Sequence, residues 1–219
     1  MIREINIKRL DKHESIFVGY WVHVFIPTPM ETADRVLLNT FVRSVQFAHV
    51  QYNEALRNIL LSHHRQPGTL PIGPMTMSFS CYEACLESTY RALRGRNTIL
   101  DRKSIPDYVR TAISYDITKK TCNNIGRMRN EIAHLNDRII KGNLKNGLPT
   151  TPGATGIEIP YPQPDNPKQT LLVVDRLRVG EFELSLATLY EVLFNLAEEI
   201  LGIIEGQPKS WSSSNDINL

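Results

Sequence analysis

The stretch "LATLYEVLFNLAEEILGII", Leu186 to Ile204, repeats large apolar side chains at intervals of three and four residues. A helix turns once every 3.6 residues, so this spacing places the apolar side chains on one face. The pattern predicts an amphipathic helix from about Ser185 to Glu205. Its acidic residues are expected on the outer face: Glu191, Glu198, Glu199 and Glu205.

A second long helix is predicted by the same spacing from about Thr32 to His64. Shorter helical segments follow from about Met77 to Leu93, where "RGRN" is expected to end the helix, and from Ile105, with Pro106 in the first turn. The polar segment from Asp116 to about Ile140 is also compatible with a helix. The sequence therefore predicts a mainly α fold, a helical bundle with a small β accessory and one long loop.

The remaining segments lack helical periodicity. Residues 1–30 are rich in β-branched and aromatic side chains, which predicts a lead-in of one or two strands or irregular backbone. Residues 142–170 are dense in glycine, proline and asparagine, which predicts a long loop before the last helix, followed by a short strand at "TLLVV". We expect a helical domain over 31–206 that contains this inserted loop, and a flexible tail over 207–219.

Basic residues are concentrated in the middle of the chain. The whole chain has a formal charge of +2, but residues 102–145 hold ten lysines or arginines against four acidic residues. The last fifty residues hold three basic and eight acidic side chains. A polyanion such as RNA is therefore expected to meet the middle of the chain.

Cysteine content and hydropathy indicate a reducing, cytoplasmic setting. The three cysteines form no C-x-x-C pair, which argues against a disulfide scaffold and a zinc site. Cys81 and Cys85 are expected to be small buried residues on a helix. The most apolar run, Ile16 to Ile26, is too short to cross a membrane. No membrane, metal or cofactor is expected.

The stretch "RMRNEIAHLND", Arg127 to Asp137, carries the candidate chemistry. On a helix, Asn130 and His134 project from one face, whereas Arg129 lies roughly 140° around the axis from His134. Histidine can transfer a proton near neutral pH, and the guanidinium fork of arginine matches phosphate oxygens. RNA supplies its own nucleophile, the 2′-hydroxyl, so that no metal is required.

The strict form of the motif is more specific than the bare arginine-to-histidine spacing. With sixteen arginines and six histidines, a spacing of four to six residues is expected roughly once by chance, and Arg57 with His63 also satisfies it. Arg57 lies opposite the apolar face of its helix, and His63 lies at the end of that helix, where a cationic side chain complements the helix dipole. This second match is therefore interpreted as helix-end structure. The form Arg-Asn-x-x-x-His occurs only at Arg129, and a chance match is expected on the order of once per hundred such chains.

The strict motif, in a helix-rich chain with a long final amphipathic helix, resembles the HEPN domain family of prokaryotes and higher eukaryotes. The resemblance covers about Ala33 to Glu205. It implies a bundle of four to five helices, a homodimer in which two motifs form one cleft, and metal-independent RNA cleavage. It also implies a toxin or antiphage-defence effector, with a possible cognate antitoxin protein as partner.

The resemblance also implies roles for the motif residues. Arg129 would hold the scissile phosphate, His134 would transfer a proton, and Asn130 would orient the histidine or the phosphate. Arg127, Lys119 and Lys120 lie outside the motif and are predicted as supporting RNA-phosphate contacts from their charge alone.

Structural interpretations remain open beside the functional ones. His134 could be a satisfied polar residue, with Arg129 bridging to Glu131 or Asp137, and the chain could be a non-catalytic module binding RNA, a nucleotide or a protein. His49, on the apolar face of the helix predicted from Thr32 to His64, is expected in the core. The N-terminal aromatic residues are expected to pack the lead-in against the bundle: Phe17, Tyr20, Trp21 and Phe25.

Overall fold

A computed structural model describes residues 2–4, 9–10, 14–24, 30–63, 72–134, 150–154, 159–160 and 170–206. The helices in these residues are α1 (Glu14–Val24), α2 (Thr32–His63), α3 (Ile72–Asp101), α4 (Asp107–Ala112), α5 (Lys119–Ala133) and α6 (Leu186–Glu205). The mainly helical prediction is confirmed. The described part holds six helices, one more than expected, although α4 has only six residues. The domain limits stay predictions, and the tail at 207–219 lies outside the described residues.

The core lies between α2, α3 and α6. The inner face of α2 buries Phe41, Val45 and Tyr52 completely. His49 is also buried there, as predicted, and its Nε2 lies 2.8 Å from the carbonyl oxygen of Leu193 in α6. Cys81 and Cys85 are buried on α3, as the sequence indicated.

The helix α3 does not end at "RGRN", so that prediction is wrong. It continues through Gly95 to Asp101. A Cβ atom at Gly95 would lie 3.4 Å from Cβ of Phe41, so the glycine lets α3 approach α2 closely. A glycine inside a helix costs about 1 kcal/mol relative to alanine, and this packing offsets the cost.

The lead-in is partly helical, which corrects the expectation of strands or irregular backbone for residues 14–24. Only β1 (Ile2–Glu4) is a strand in the described part of this segment. Phe17 and Tyr20 are buried, and the hydroxyl of Tyr20 donates to Oδ1 of Asn39, 2.8 Å away. The aromatic side chains thus pack α1 against the bundle as predicted, because burial outweighs their preference for strands. Phe25 lies outside the described residues.

The strands are arranged around β4 (Thr170–Val179), which includes the predicted "TLLVV" strand. β1 pairs with it in parallel, and β2 (Thr150–Ala154), β3 (Ile159–Pro160) and β5 (Phe182–Ser185) pair with it in antiparallel fashion. β2 and β3 fall inside the segment predicted as an irregular loop, so this prediction is wrong for those residues. The rest of the loop lies outside the described residues.

A buried ion pair joins α3 to α6. Glu199 is fully buried, so its predicted place on the outer face is wrong. Its carboxylate accepts hydrogen bonds from Nε of Arg96 at 2.9 and 3.0 Å and from Nη2 at 2.8 Å. Burial raises the pKa of Glu199, and the hydrogen bonds and charge of Arg96 oppose this effect.

The same pair fixes the segment that leads into α5. Nη2 of Arg96 donates to the carbonyl oxygen of Tyr115 at 2.6 Å, and the amide of Tyr115 donates to Glu199 at 3.2 Å. Residues 113–118 connect α4 to α5. The position at which α5 begins is therefore set by this buried cluster.

We predict that Arg96→Ala lowers the free energy of unfolding by about 3–5 kcal/mol, because it leaves the buried carboxylate of Glu199 without its counter-charge. Urea denaturation measures this change. The matched control is Glu191→Ala, an exposed position on α6, which should cost less than about 0.5 kcal/mol. The double variant Arg96→Met/Glu199→Leu should recover most of the loss. An Arg96→Ala variant as stable as the control would contradict the structural role of the pair.

Candidate functional site

The helix α5 carries all the residues predicted for the site except His134, which caps its C-terminal end. Its start is capped by Thr118, whose hydroxyl oxygen accepts a hydrogen bond from the amide of Thr121 at 3.2 Å. At the other end, the amide of His134 donates to the carbonyl oxygen of Asn130 at 3.0 Å. Asn130 and His134 therefore lie one turn apart at the end of the helix, and both side chains are exposed.

One side of α5 faces α3 and is dominated by the ion pair of Arg129 with Glu87. Nε of Arg129 donates to Oε2 of Glu87 at 2.6 Å, and Nη2 lies 3.5 Å from Oε1. The guanidinium carbon also lies 5.6 Å from the centre of the Tyr90 ring, a cation–π distance. The orientation of Arg129 is thus set by α3.

Glu87 is shared between two arginines. Nε of Arg91, one turn further along α3, donates to Oε1 of Glu87 at 2.9 Å. Burial alone would raise the pKa of Glu87, but the hydrogen bonds from Arg129 and Arg91 outweigh it, so its pKa lies below the ordinary value. The carboxylate of Glu87 is thus bound by two guanidinium groups.

Arg129 forms an ion pair with an acidic residue, as the structural alternative for it requires. Instead of Glu131, Arg129 pairs with Glu87; Asp137 lies outside the described residues. Nη1 of Arg129 also donates to Oδ1 of Asn130 at 3.3 Å. A guanidinium has five N–H groups, and these three bonds use three of them. Two N–H groups thus remain for a further acceptor.

The other side of α5 borders a cleft against the β5–α6 junction. The cleft has a volume of about 640 Å³, and Lys120, Asn124 and Arg127 line its α5 wall. Its opposite wall includes Ser185, the N-cap residue of α6. The guanidinium of Arg127 lies 5.9 Å from the centre of the Phe182 ring.

One acidic residue, Glu183, also lines this cleft, but two arginines of the adjacent strand engage its carboxylate. Oε2 accepts a hydrogen bond from Nη1 of Arg176 at 2.7 Å, and Oε1 lies 2.6 Å from Nε of Arg178. These contacts keep the pKa of Glu183 below its ordinary value. The carboxylate is thus neutralised within β4 and β5, and the cations on α5 are left to set the charge of the cleft.

The predicted site residues therefore fall into three places. Arg129 lies against α3, Lys120 and Arg127 line the cleft, and Asn130 and His134 occupy the end of α5. Lys119 is exposed at the first residue of α5 and does not line the cleft.

Sequence reasoning missed Glu87 and Arg91. They are four residues apart on a helix, a spacing that allows an ion pair, but nothing in the spacing links them to Arg129. It also missed the hydroxyl groups of Ser185 and Thr188 at the start of α6, which form the far wall of the cleft.

Comparisons with known proteins add no identification. No family model matches the chain, and neither a curated protein nor a solved structure matches it. In the part of the chain that the structure describes, no three His, Cys, Asp or Glu side chains are grouped in a way that could hold a metal. None of the helices over the same residues is long and apolar enough to cross a membrane. Function must therefore be inferred from the residues themselves.

We predict that Arg129→Ala raises the pKa of Glu87, because it removes the larger of the two hydrogen-bonding effects that lower it. An NMR titration of the Glu87 carboxyl carbon measures the change, with Arg127→Ala as the control that leaves it unaltered. The ion pair contributes to the free energy of unfolding above the ordinary glutamate pKa of about 4.3, and this contribution disappears as the pH falls through the lowered pKa. The Arg129→Ala variant should accordingly lose less stability on acidification. An identical Glu87 titration in both variants would contradict the pairing.

Proposed function

We propose that the chain is a metal-independent endoribonuclease whose reactive groups are Arg129, Asn130 and His134. The observation that carries this proposal is the hydrogen bond from Arg129 to Asn130, one turn before an exposed histidine at the end of the same helix. The phosphate-binding fork of Arg129 is thus bonded to Asn130, and Asn130 lies one turn before the imidazole that would transfer the proton.

The proposed reaction uses the 2′-hydroxyl of RNA as nucleophile. His134 removes its proton, the 2′-oxygen attacks the neighbouring phosphorus, and the bond from phosphorus to the 5′-oxygen breaks. The products are a 2′,3′-cyclic phosphate and a 5′-hydroxyl, which takes up a proton as it leaves. The two remaining N–H groups of Arg129 would stabilise the charge on the phosphate oxygens.

The cleft on the other side of α5 would hold the adjoining RNA backbone. Lys120, Arg127 and His134 recur at seven-residue intervals, so they lie in one row along about 21 Å of helix. An RNA strand in the cleft would place its phosphates against the two cations and its scissile bond near His134. Lys119, next to Lys120, adds positive charge at the end of this row.

A homodimer would supply a second histidine and arginine to the same reaction. Protonation of the 5′-oxygen requires an acid in addition to the base that activates the 2′-hydroxyl. Each chain offers one motif of the strict form, so the second copy of His134 is the natural source of that acid. The biological role that we propose, a toxin or antiphage effector restrained by an antitoxin protein, rests on the family resemblance.

The ion pair of Arg129 with Glu87 favours a second candidate function, a non-catalytic module that binds RNA, a nucleotide or a protein. The carboxylate occupies the Nε–Nη2 edge of the guanidinium, one of the edges that a bidentate phosphate contact can use. In that case the cleft with Lys120 and Arg127 would bind phosphates without cleavage.

We predict that the purified chain cleaves single-stranded RNA in the presence of a chelator, and that His134→Ala slows cleavage by about 10²–10⁴-fold. Arg129→Ala should do the same, and Arg129→Lys should recover little, because lysine lacks the planar fork. Gel analysis of end-labelled RNA identifies the cyclic phosphate. His63→Ala, from the motif with the loose spacing, is the matched control and should cleave normally. Equal cleavage by His134→Ala and the parent chain would refute the mechanism, and binding without cleavage would support the second candidate.

We further predict that Lys120→Ala and Arg127→Ala weaken RNA binding without changing its sequence preference. Each variant removes one phosphate contact. The plot of log affinity against log salt has a negative slope, and for a single strand this slope should become less steep by about 0.7. Fluorescence anisotropy in the His134→Ala background measures binding without cleavage. Arg35→Ala, on α2, is the control. Unchanged salt slopes in both cleft variants would show that RNA does not use this cleft.

A further inference from the structure

The helix α2 exposes a second row of side chains on the face directed away from the core. The row alternates steps of four and three residues along most of the helix, and it comprises Val36, Thr40, Arg43, Phe47, Val50, Glu54, Arg57 and Leu61. Four of these are large apolar side chains, each about half exposed: Val36 at 59%, Phe47 at 50%, Val50 at 55% and Leu61 at 48%. Phe47 and Val50 are neighbours in the row and form an exposed apolar pair at its centre.

The spacing of the row is that of a coiled-coil seam. Alternating steps of four and three keep a row facing a neighbouring helix of the same kind. The seam from Val36 to Leu61 spans about 38 Å at 1.5 Å per residue. An amphipathic helix that packs lengthwise against α2 would therefore cover the whole row.

The row is self-complementary when a second copy runs in the opposite direction. Its steps read the same from either end, so Val36 meets Leu61 of the partner subunit and Phe47 meets Val50 of the partner subunit. Arg43 then faces Glu54 of the partner subunit, and the two-fold axis repeats this ion pair. Apolar residues meet apolar residues, and the opposite charges of Arg43 and Glu54 meet at two equivalent places.

Glu54 is available for this contact. Within its own chain it pairs with Arg57 at 3.4 Å, in an exposed pair in which the Glu54 and Arg57 side chains are 42% and 65% accessible, and its Oε1 accepts a hydrogen bond from Nδ2 of Asn58 at 3.3 Å. Exposed pairs of this kind contribute little, from about 0 to 1 kcal/mol. If Glu54 exchanged its ion pair with Arg57 for one with Arg43 of the partner subunit, the loss of the first pair would therefore cost little.

A groove beside the row can receive the partner helix. It lies between α2 and α3, has a volume of about 470 Å³, and is lined by Arg43, Phe47 and Val50 together with Ser88 and Arg91 of α3. Val50 also lines a second cavity, towards α1. The row thus forms a ridge between two depressions, a shape that suits ridges-into-grooves packing of helices.

We propose that this face of α2 binds a second copy of the chain in an antiparallel arrangement about a two-fold axis between Phe47 and Val50. The arrangement goes beyond the proposed function by specifying which surface forms the dimer, and its evidence does not depend on RNA cleavage. It places Arg91 at the interface, one ion pair away from Arg129 through Glu87. The two candidate sites would then flank one interface.

Sedimentation velocity of the full chain tests this arrangement. The parent chain should sediment as a dimer, and Phe47→Glu should sediment as a monomer at the same concentration. Arg43→Glu and Glu54→Arg should each raise the dimer dissociation constant at least about 10-fold, because each places like charges opposite one another. The double variant Arg43→Glu/Glu54→Arg should return it to within about 3-fold of the parent, since the ion pair is restored with reversed signs.

The control is Leu100→Glu, which charges an exposed apolar residue on the side of α3 opposite Arg91 and should leave the dimer intact. A monomeric parent chain, a dimeric Phe47→Glu variant, or a charge-reversed double variant as weak as the single ones would each overturn the arrangement. RNA cleavage in the same samples separates the two proposals. A monomer that cleaves contradicts the dimer and the second His134 as the acid but leaves the endoribonuclease, and a dimer that does not cleave contradicts only the endoribonuclease.

Discussion

The buried ion pair of Arg96 and Glu199 is the constraint on which the rest of the structure depends. It joins α3 to α6 and binds both backbone groups of Tyr115, in the segment that leads to α5. A buried charge that loses its partner costs several kcal/mol, so these three elements cannot separate without a large penalty. The start of α5, and with it every residue of the candidate site, is therefore held in a fixed relation to the core.

The position of α5 between two neighbours explains why the predicted site divides. The helix packs on α3 along one side and on the β5–α6 junction along the other, with Ile125 and Met128 buried between them. Side chains two positions apart differ by about 160° around the axis and must then face different neighbours. Arg129 consequently reaches Glu87, whereas Arg127 lines the cleft, although only two positions separate them in the sequence.

The parts of the fold that follow from local periodicity were predictable, and those that depend on distant partners were not. The apolar spacing of α2 and α6 predicted both helices closely, because a buried face must repeat with the helical turn. Gly95 led to the prediction of a helix end, which is wrong. The packing of α3 against Phe41 at this point leaves no signal in the sequence. Likewise, Glu199 had the pattern of an outer-face residue, and Glu87 lies 42 residues before Arg129, so neither ion pair had a local signal.

The two arginine–glutamate pairs differ in a way that bears on function. The Arg96–Glu199 pair is almost entirely buried, so exchange of its partner would leave a charge without solvent or counter-ion. The Arg129–Glu87 pair keeps about 30% of each side chain accessible, and Arg91 stays bound to Glu87 if Arg129 leaves. The contact is a charge-assisted hydrogen bond, and because it is partly exposed it contributes less than the same contact would in the interior. Exchange of the partner of Arg129 would therefore cost less than loss of Glu199 from Arg96, which would leave a buried charge uncompensated.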